Sequence, residues 1–203
     1  MTGERSTADE DTLSALAERR GLETDVYEPA EDSHLLAIAA ANRIDGDDLV
    51  LDLGTGTGYV ASLIGERTGA RVVGADLNPH ACRRAAANGI EAVRSDLVSP
   101  FRGGRFDAVV FNPPYLPTAP DAEWDDWMER ALSGGRTGRE VIEPFLDAAS
   151  RVLAPDGVIY LLVSSFTGVD AVREYAADRG FDSVPIVEES YPLEKLVVLE
   201  LRR

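Results

Sequence analysis

The stretch Leu49-Val50-Leu51-Asp52-Leu53-Gly54-Thr55-Gly56-Thr57-Gly58 decides the fold. Leu49 to Leu53 are apolar except for Asp52 and read as a short buried strand. Glycines at 54, 56 and 58 then turn the chain, and residues 59–68 carry a helical pattern. A strand, a Gly-rich turn and a helix in that order form the opening of a βαβ unit in which the turn meets a ligand.

The pattern repeats outward from there. Residues 71–75 make a second strand ending at Asp76, and Asn78 caps the next helix with Pro79 in its first turn. Asn88-Gly89 closes that helix, residues 91–95 form a third strand ending at Asp96, and residues 106–111 form a fourth. Val141, Phe145, Ala149 and Val152 at helical spacing predict a helix over 138–153, and residues 157–164 are a fifth strand. A helix over 169–179 stops at Gly180, and strands over 181–188 and 195–201 follow as an antiparallel pair. Pro185 restricts the first of these to a sheet edge. Upstream, Pro29 breaks the chain, and Asp32 or Ser33 is expected to cap a helix carrying Leu35, Leu36, Ile38 and Ala39. Strands alternating with helices predict a three-layer α/β fold with a mainly parallel sheet.

A chain of 203 residues with 44% hydrophobic content suits one domain, expected over 21–203. Residues 1–20 are expected to be a flexible tail in which Leu13, Leu16 and Ala17 allow a short helix. Residues 121–136 are the one long irregular stretch, and Trp124, Trp127 and Met128 there read as lid or wall residues. No run of about 18 apolar residues predicts a membrane span, and no apolar leader follows Met1, so a cytoplasmic setting is expected. Cys82 stands alone and the two histidines, His34 and His80, lie far apart, so no metal site is expected. The net charge is −16, from 36 acidic and 20 basic residues, and Lys195 is the only lysine. Such a field repels phosphate backbones and disfavours nucleic acid as a partner. The favoured alternative is a halophilic protein kept soluble in concentrated salt, where the Debye length falls to ~3 Å at 1 M and the net charge says little about substrate.

The glycine turn lacks the dinucleotide pattern, because position 59 is Tyr and the third Gly comes at 58. Its spacing is the one seen with S-adenosylmethionine, with Gly54 and Gly56 letting the backbone approach the ligand. Asp76 ends its strand about 20 residues on, where a carboxylate accepts both ribose hydroxyls. Asp96 is placed to accept from the adenine amino group, with Leu97 packing the ring. Asp52 lies before the first Gly, near the cationic amino end, and Ser33 offers either a cap or a hydroxyl aimed at the ligand.

Asn112-Pro113-Pro114-Tyr115 follows the apolar run Ala108-Val109-Val110-Phe111. Two prolines stop the ladder and stiffen the turn at the C-terminal end of a strand, where open α/β sheets bind ligands. The Asn112 side-chain oxygen and the Pro113 carbonyl are both acceptors able to take the two N–H bonds of a planar NH2 group, with Tyr115 flat on the same plane. By itself Asn-Pro-Pro is also compatible with a merely rigid strand-to-loop turn.

With these motifs together, the chain resembles class I S-adenosylmethionine-dependent methyltransferases. Within them it resembles the HemK-like family that methylates the glutamine of translation release factors, in its archaeal–eukaryotic branch. The resemblance runs from Tyr27 onward. It rests on Val26-Tyr27-Glu28-Pro29-Ala30-Glu31-Asp32-Ser33, Asp52-Leu53-Gly54-Thr55-Gly56-Thr57-Gly58, Asp76-Leu77-Asn78-Pro79, Ser95-Asp96-Leu97 and Phe111-Asn112-Pro113-Pro114-Tyr115. Gly134-Gly135-Arg136-Thr137-Gly138-Arg139-Glu140-Val141 and Leu193-Glu194-Lys195-Leu196-Val197-Val198-Leu199 extend it. The branch often has Glu where this chain has Asp52, a conservative departure. The resemblance implies a Rossmann-like sheet of order 3-2-1-4-5-7-6 with strand 7 antiparallel. It implies N5-methylation of the glutamine in a Gly-Gly-Gln loop of the class I release factor. It also implies a small zinc-binding activator subunit along residues 91–95; this chain has too few Cys and His to carry that zinc.

Two alternatives share the Asn112 corner: N6-adenine methylation of DNA or RNA, and methylation of another protein side chain. The first needs a flipped base and a basic groove, which the composition does not supply.

Overall fold

The computed structural model describes residues 25–118 and 127–203. The expected tail helix before residue 21, and Trp124 with the first part of the 121–136 stretch, lie outside the described residues.

The elements alternate as the hydrophobic pattern requires. Helix α1 (Glu31–Ala41) leads into β1 (Leu49–Leu53), α2 (Tyr59–Thr68), β2 (Arg71–Asp76), α3 (Pro79–Ala87), β3 (Glu91–Arg94) and β4 (Phe106–Phe111). Then come α4 (Trp127–Leu132), α5 (Ile142–Ala149), β5 (Leu153–Ser164), a single 3-10 turn at Ser165–Thr167, α6 (Val169–Ala177), β6 (Asp182–Ser190) and β7 (Lys195–Arg202). The seven strands form one sheet of order β3-β2-β1-β4-β5-β7-β6. The first five run parallel, and β7 enters antiparallel between β5 and β6. This is the Rossmann-like arrangement of class I methyltransferases.

Both faces of the sheet are covered, which is why its central strands are apolar on successive residues. On one face Val50, Ala108, Val110, Tyr160 and Leu162 pack against Leu35, Leu36 and Ile64 of α1 and α2. On the other, Leu51, Val109, Phe111, Ile159 and Leu161 meet Phe145, Leu146 and Ala149 of α5 and Val172 and Ala176 of α6. The rings of Phe111 and Phe145 stack edge to face at 4.8 Å. Pro185 sits on the edge strand β6, at a register irregularity where its missing N–H costs no ladder bond.

Three expectations are corrected. Neither Asp32 nor Ser33 caps α1: the cap position is Ala30, without a side-chain bond, and both residues are buried inside the first turn. Helix α5 is shorter than the predicted 138–153 span, because Gly134, Gly135 and Gly138 draw the preceding segment into a tight loop. Strand β5 opens earlier than residue 157, with Leu153 already paired to Phe106 and an irregularity before Val158.

The register fixes where function can sit. Leu53, Ala75 and Phe111 are neighbours across β1, β2 and β4, and Asp76 pairs with Arg94 of β3. The segments that leave those strands therefore emerge side by side at the carboxyl end of the sheet. The Gly138 loop buttresses this end. Its backbone is left-handed at φ +74°, and a Cβ there would lie 2.5 Å from the Tyr115 carbonyl oxygen and 2.9 Å from the Thr167 methyl. Gly138→Ala is expected to cost on the order of 2 kcal/mol or more, from strain and displaced backbone together. Urea unfolding midpoints of the two proteins check it.

Candidate active site

A cavity of about 480 Å³ opens at that end of the sheet. Its walls are the segments following β1, β2, β3 and β4, with the segment before α1, the start of α4 and the start of α5 closing the sides. Ser33, Asp52, Gly54, Gly56, Asp76, Asp96, Leu97, Asn112, Pro113, Pro114 and Tyr115 all line it. The parallel register brings these residues together from a sequence span of more than eighty positions.

The floor is the glycine turn. Gly56 donates its N–H to Asp76 Oδ2 at 2.9 Å, and Asn78 donates its N–H to Asp76 Oδ1 at 2.8 Å. Each oxygen keeps a further lone pair for a ligand hydroxyl. Burial raises the Asp76 carboxyl above the usual range, opposed by those backbone bonds. Gly58 serves packing instead: a Cβ there would lie 2.9 Å from the Ile90 side chain and 3.3 Å from Ala85 of α3, so the start of α2 could not sit so close to α3.

Asp52 is 2% exposed and is held by the Thr55 hydroxyl at 2.7 Å and the Ala61 N–H at 3.2 Å, both on Oδ2. Desolvation pushes it up to about 7; the two hydrogen bonds pull the other way and the nearby Asp76 charge adds to the rise. The sequence gives no sign of this shift, because its cause is burial rather than composition.

At the β3 end, Ser95 N–H donates to the Asp76 carbonyl at 2.9 Å and Ser95 Oγ donates to the Leu97 carbonyl at 2.7 Å. These bonds hold Leu97 at φ 46°, the one left-handed non-glycine residue among those described. Such backbone persists only where its surroundings impose it, and it clusters at ligand sites. Asp96 is solvent-exposed at the rim.

The corner after β4 carries the decisive atom. Asn112 Oδ1 is buried and has no hydrogen-bond partner among the described residues. Leaving a buried carboxamide oxygen unsatisfied costs about 1–3 kcal/mol, so a group that supplies N–H bonds there gains that amount. The other end of the carboxamide, Nδ2, donates to Ser33 Oγ at 3.4 Å. Tyr115 is 3% exposed and joins the apolar cluster containing Met128 and Leu132 while reaching the cavity wall.

Some wall residues carried little signal in the sequence. Arg130, Glu140 and Pro144 line the cavity. Trp127, read as a wall residue, does line the cavity, with the Arg130 guanidinium 5.5 Å from its ring centre. Tyr27 lines it because its segment is tied to α3: Asn78 Nδ2 donates to the Asp25 carbonyl at 2.6 Å, and Arg84 pairs with Glu28 at 2.6 Å. Among the described residues no group of three His, Cys, Asp or Glu side chains is placed to hold a metal ion.

Asp52 yields a pH prediction. Its carboxyl titrates near 3.8 unfolded and about 7 folded, so between those values the folded state holds the extra proton. Stability therefore falls as pH rises through that window, by up to about 4 kcal/mol. Asp52→Asn is expected to raise the melting temperature at pH 8 and to change it little at pH 4. Calorimetry at the two pH values checks both.

Known proteins match this geometry. A model of the methyltransferase domain fits residues 50–157. A Methanocaldococcus jannaschii protein bearing the name of a protein N5-glutamine methyltransferase is 35% identical, over 90% of this chain and 94% of its own. Human methyltransferase HEMK2 is 32% identical over 91% of this chain and 92% of its own. The solved structure of the E. cuniculi Mtq2–Trm112 complex, described as responsible for methylating the eRF1 translation termination factor, superposes with a TM-score of 0.74. It is 32% identical and covers 89% of this chain and 99% of that one. The chain belongs to the HemK-like protein N5-glutamine methyltransferases, enzymes that use S-adenosylmethionine.

Proposed function

We propose that this protein methylates the side-chain nitrogen of the glutamine in the Gly-Gly-Gln loop of the class I release factor. One observation carries the reading: the buried Asn112 Oδ1 on the cavity wall, without a hydrogen-bond partner among the described residues. It is an acceptor suited to a donor that those residues do not supply.

Bound S-adenosylmethionine supplies a methyl already activated on a sulfonium. Asp76 would accept the ribose hydroxyls, Asp96 and Leu97 would hold the adenine, Gly54 and Gly56 would let the backbone close on the ligand, and Asp52 would face its cationic amino end. Ser33 lies on the same wall, beside Asn112. The difficulty is the acceptor, since an amide nitrogen lone pair is delocalised. Asn112 Oδ1 and the Pro113 carbonyl would accept its two N–H bonds and turn the lone pair toward the methyl. They also stabilise positive charge as it develops on nitrogen. Pro114 keeps the corner stiff, and Tyr115 packs on the amide plane. Orientation of this kind supplies up to ~7–11 kcal/mol of barrier lowering. The nitrogen loses a proton after transfer, and water or the acidic rim suffices to take it.

An exocyclic adenine amine is also flat and would fit the same acceptors. It would also need base flipping and a basic groove for the phosphates, and the sequence, with its single lysine, carries no Lys/Arg cluster to build one. A release factor brings no such penalty.

The proposal extends to a partner. A relative solved as a complex with Trm112 supports a small activator on this chain, and we assign to it the zinc-binding subunit that the sequence resemblance implies. Strand β3 is a sheet edge, and its Val93 (38% exposed) and Leu77 just after β2 (43% exposed) are apolar surface there. Edges of that kind invite a covering chain. The acidic surface with one lysine we assign to a halophilic, cytoplasmic protein, and residues 21–203 to one catalytic domain.

Three experiments bear on this. Asn112→Ala is expected to lower turnover on release factor by on the order of 10²–10³-fold while S-adenosylmethionine affinity stays within a few-fold. Labelled cofactor with release factor, with its Gly-Gly-Gln glutamine variant and with DNA separates the substrates; label in DNA alone sinks the reading. Raising KCl from about 0.1 to about 2 M is expected to raise the melting temperature, since salt at that level screens acidic self-repulsion. A falling melting temperature would refute the halophile assignment.

A further inference from the structure

A carboxamide has two ends of nearly the same shape. Packing alone does not decide which end of Asn112 meets the acceptor; hydrogen bonds do. With Oδ1 forward the corner accepts from a planar NH2. With Nδ2 forward it sets donor against donor.

The choice is made away from the substrate. Asn112 Nδ2 donates to Ser33 Oγ at 3.4 Å. A hydroxyl has one proton, so it is free to accept only if that proton goes elsewhere. Here it goes to Asp32: Ser33 Oγ donates to Asp32 Oδ1 at 3.3 Å, and the same oxygen takes the Ser33 N–H at 2.6 Å. Tyr27 donates its hydroxyl to Asp32 Oδ2 at 3.0 Å. A carboxylate has no proton to return, so Ser33 turns a lone pair toward Asn112. Asp32 is 2% and Ser33 6% exposed, which keeps water from scrambling the order.

We propose that Asp32 and Ser33 are positioning residues whose hydrogen-bond polarity holds Asn112 with Oδ1 toward the reacting nitrogen. The assignment rests on the methyl-transfer reading above for its purpose, though the orientation itself needs no substrate. It explains why an Asp and a Ser are buried in the first turn of α1 without capping it. It also gives Ser33 a role other than touching cofactor.

Protein labelled with 15N-asparagine and saturated with S-adenosylmethionine should give a nuclear Overhauser contact between the Asn112 Nδ2 protons and the Ser33 Cβ protons. Its absence overturns the proposal whatever the substrate turns out to be. Kinetically, Ser33→Ala should lower kcat about tenfold, with KM and cofactor affinity within about twofold, and Ser33→Thr should restore most of it. Binding should change in kind as well. Wild type prefers release factor with glutamine to release factor with glutamate at the loop, and Ser33→Ala narrows that preference because its carboxamide can turn. If wild type does not methylate release factor yet shows the contact, the substrate reading fails and the positioning stands. If wild type methylates it and Ser33→Ala matches wild type in kcat and in the glutamine preference, the positioning fails.

Discussion

The parallel register of β1, β2, β3 and β4 is the constraint on which everything else depends. It makes the strands end together, so that a glycine turn, two acidic loop starts and an Asn-Pro-Pro corner share one cavity although they are far apart in the chain. That register is held by apolar strand residues packed on both faces, not by anything at the site. Core and chemistry are therefore separable: the core sets where the strand ends lie, and the residues just beyond them set what is bound.

Within the cavity the economy is one of unmet polar demand. Asp52 is desolvated, Asp76 partly so, and Asn112 Oδ1 has no partner among the described residues. Each lowers the stability of the folded chain, and all three line one cavity. In the proposed reaction, stability given up there would be returned on binding.

Much of this was legible in the sequence. Helix α2 and strand β4 fall where periodicity and glycine placement put them, and Asn78 caps α3 as its neighbour Pro79 suggests. The strand order came through resemblance, since pattern alone does not rank strands across a sheet. The failures have physical causes. Asp and Ser before an apolar run look like a cap, but in this chain they are turned inward and bonded to each other, so Ala30 is left to start α1. Val141 and Val152 continue a helical stripe without being helical, because the glycine loop before and the turn after α5 keep their apolar contacts without its backbone. Arg130 and Glu140 left no trace, since a charged wall residue reads the same as a solvated one until the fold closes around it. The raised Asp52 is likewise a property of its burial.

The two rims of the sheet are finished differently. Strand β6 carries Pro185 and its irregular pairing, which blunt that side, while β3 is four residues long and ends directly in Ser95-Asp96-Leu97. The same short backbone that would meet a neighbouring chain is thus continuous with the contorted Leu97 corner of the cavity. A molecule clamped along that rim would stiffen the far wall of the pocket without entering it, so assembly with a neighbour and grip on the adenosine end would be mechanically one event.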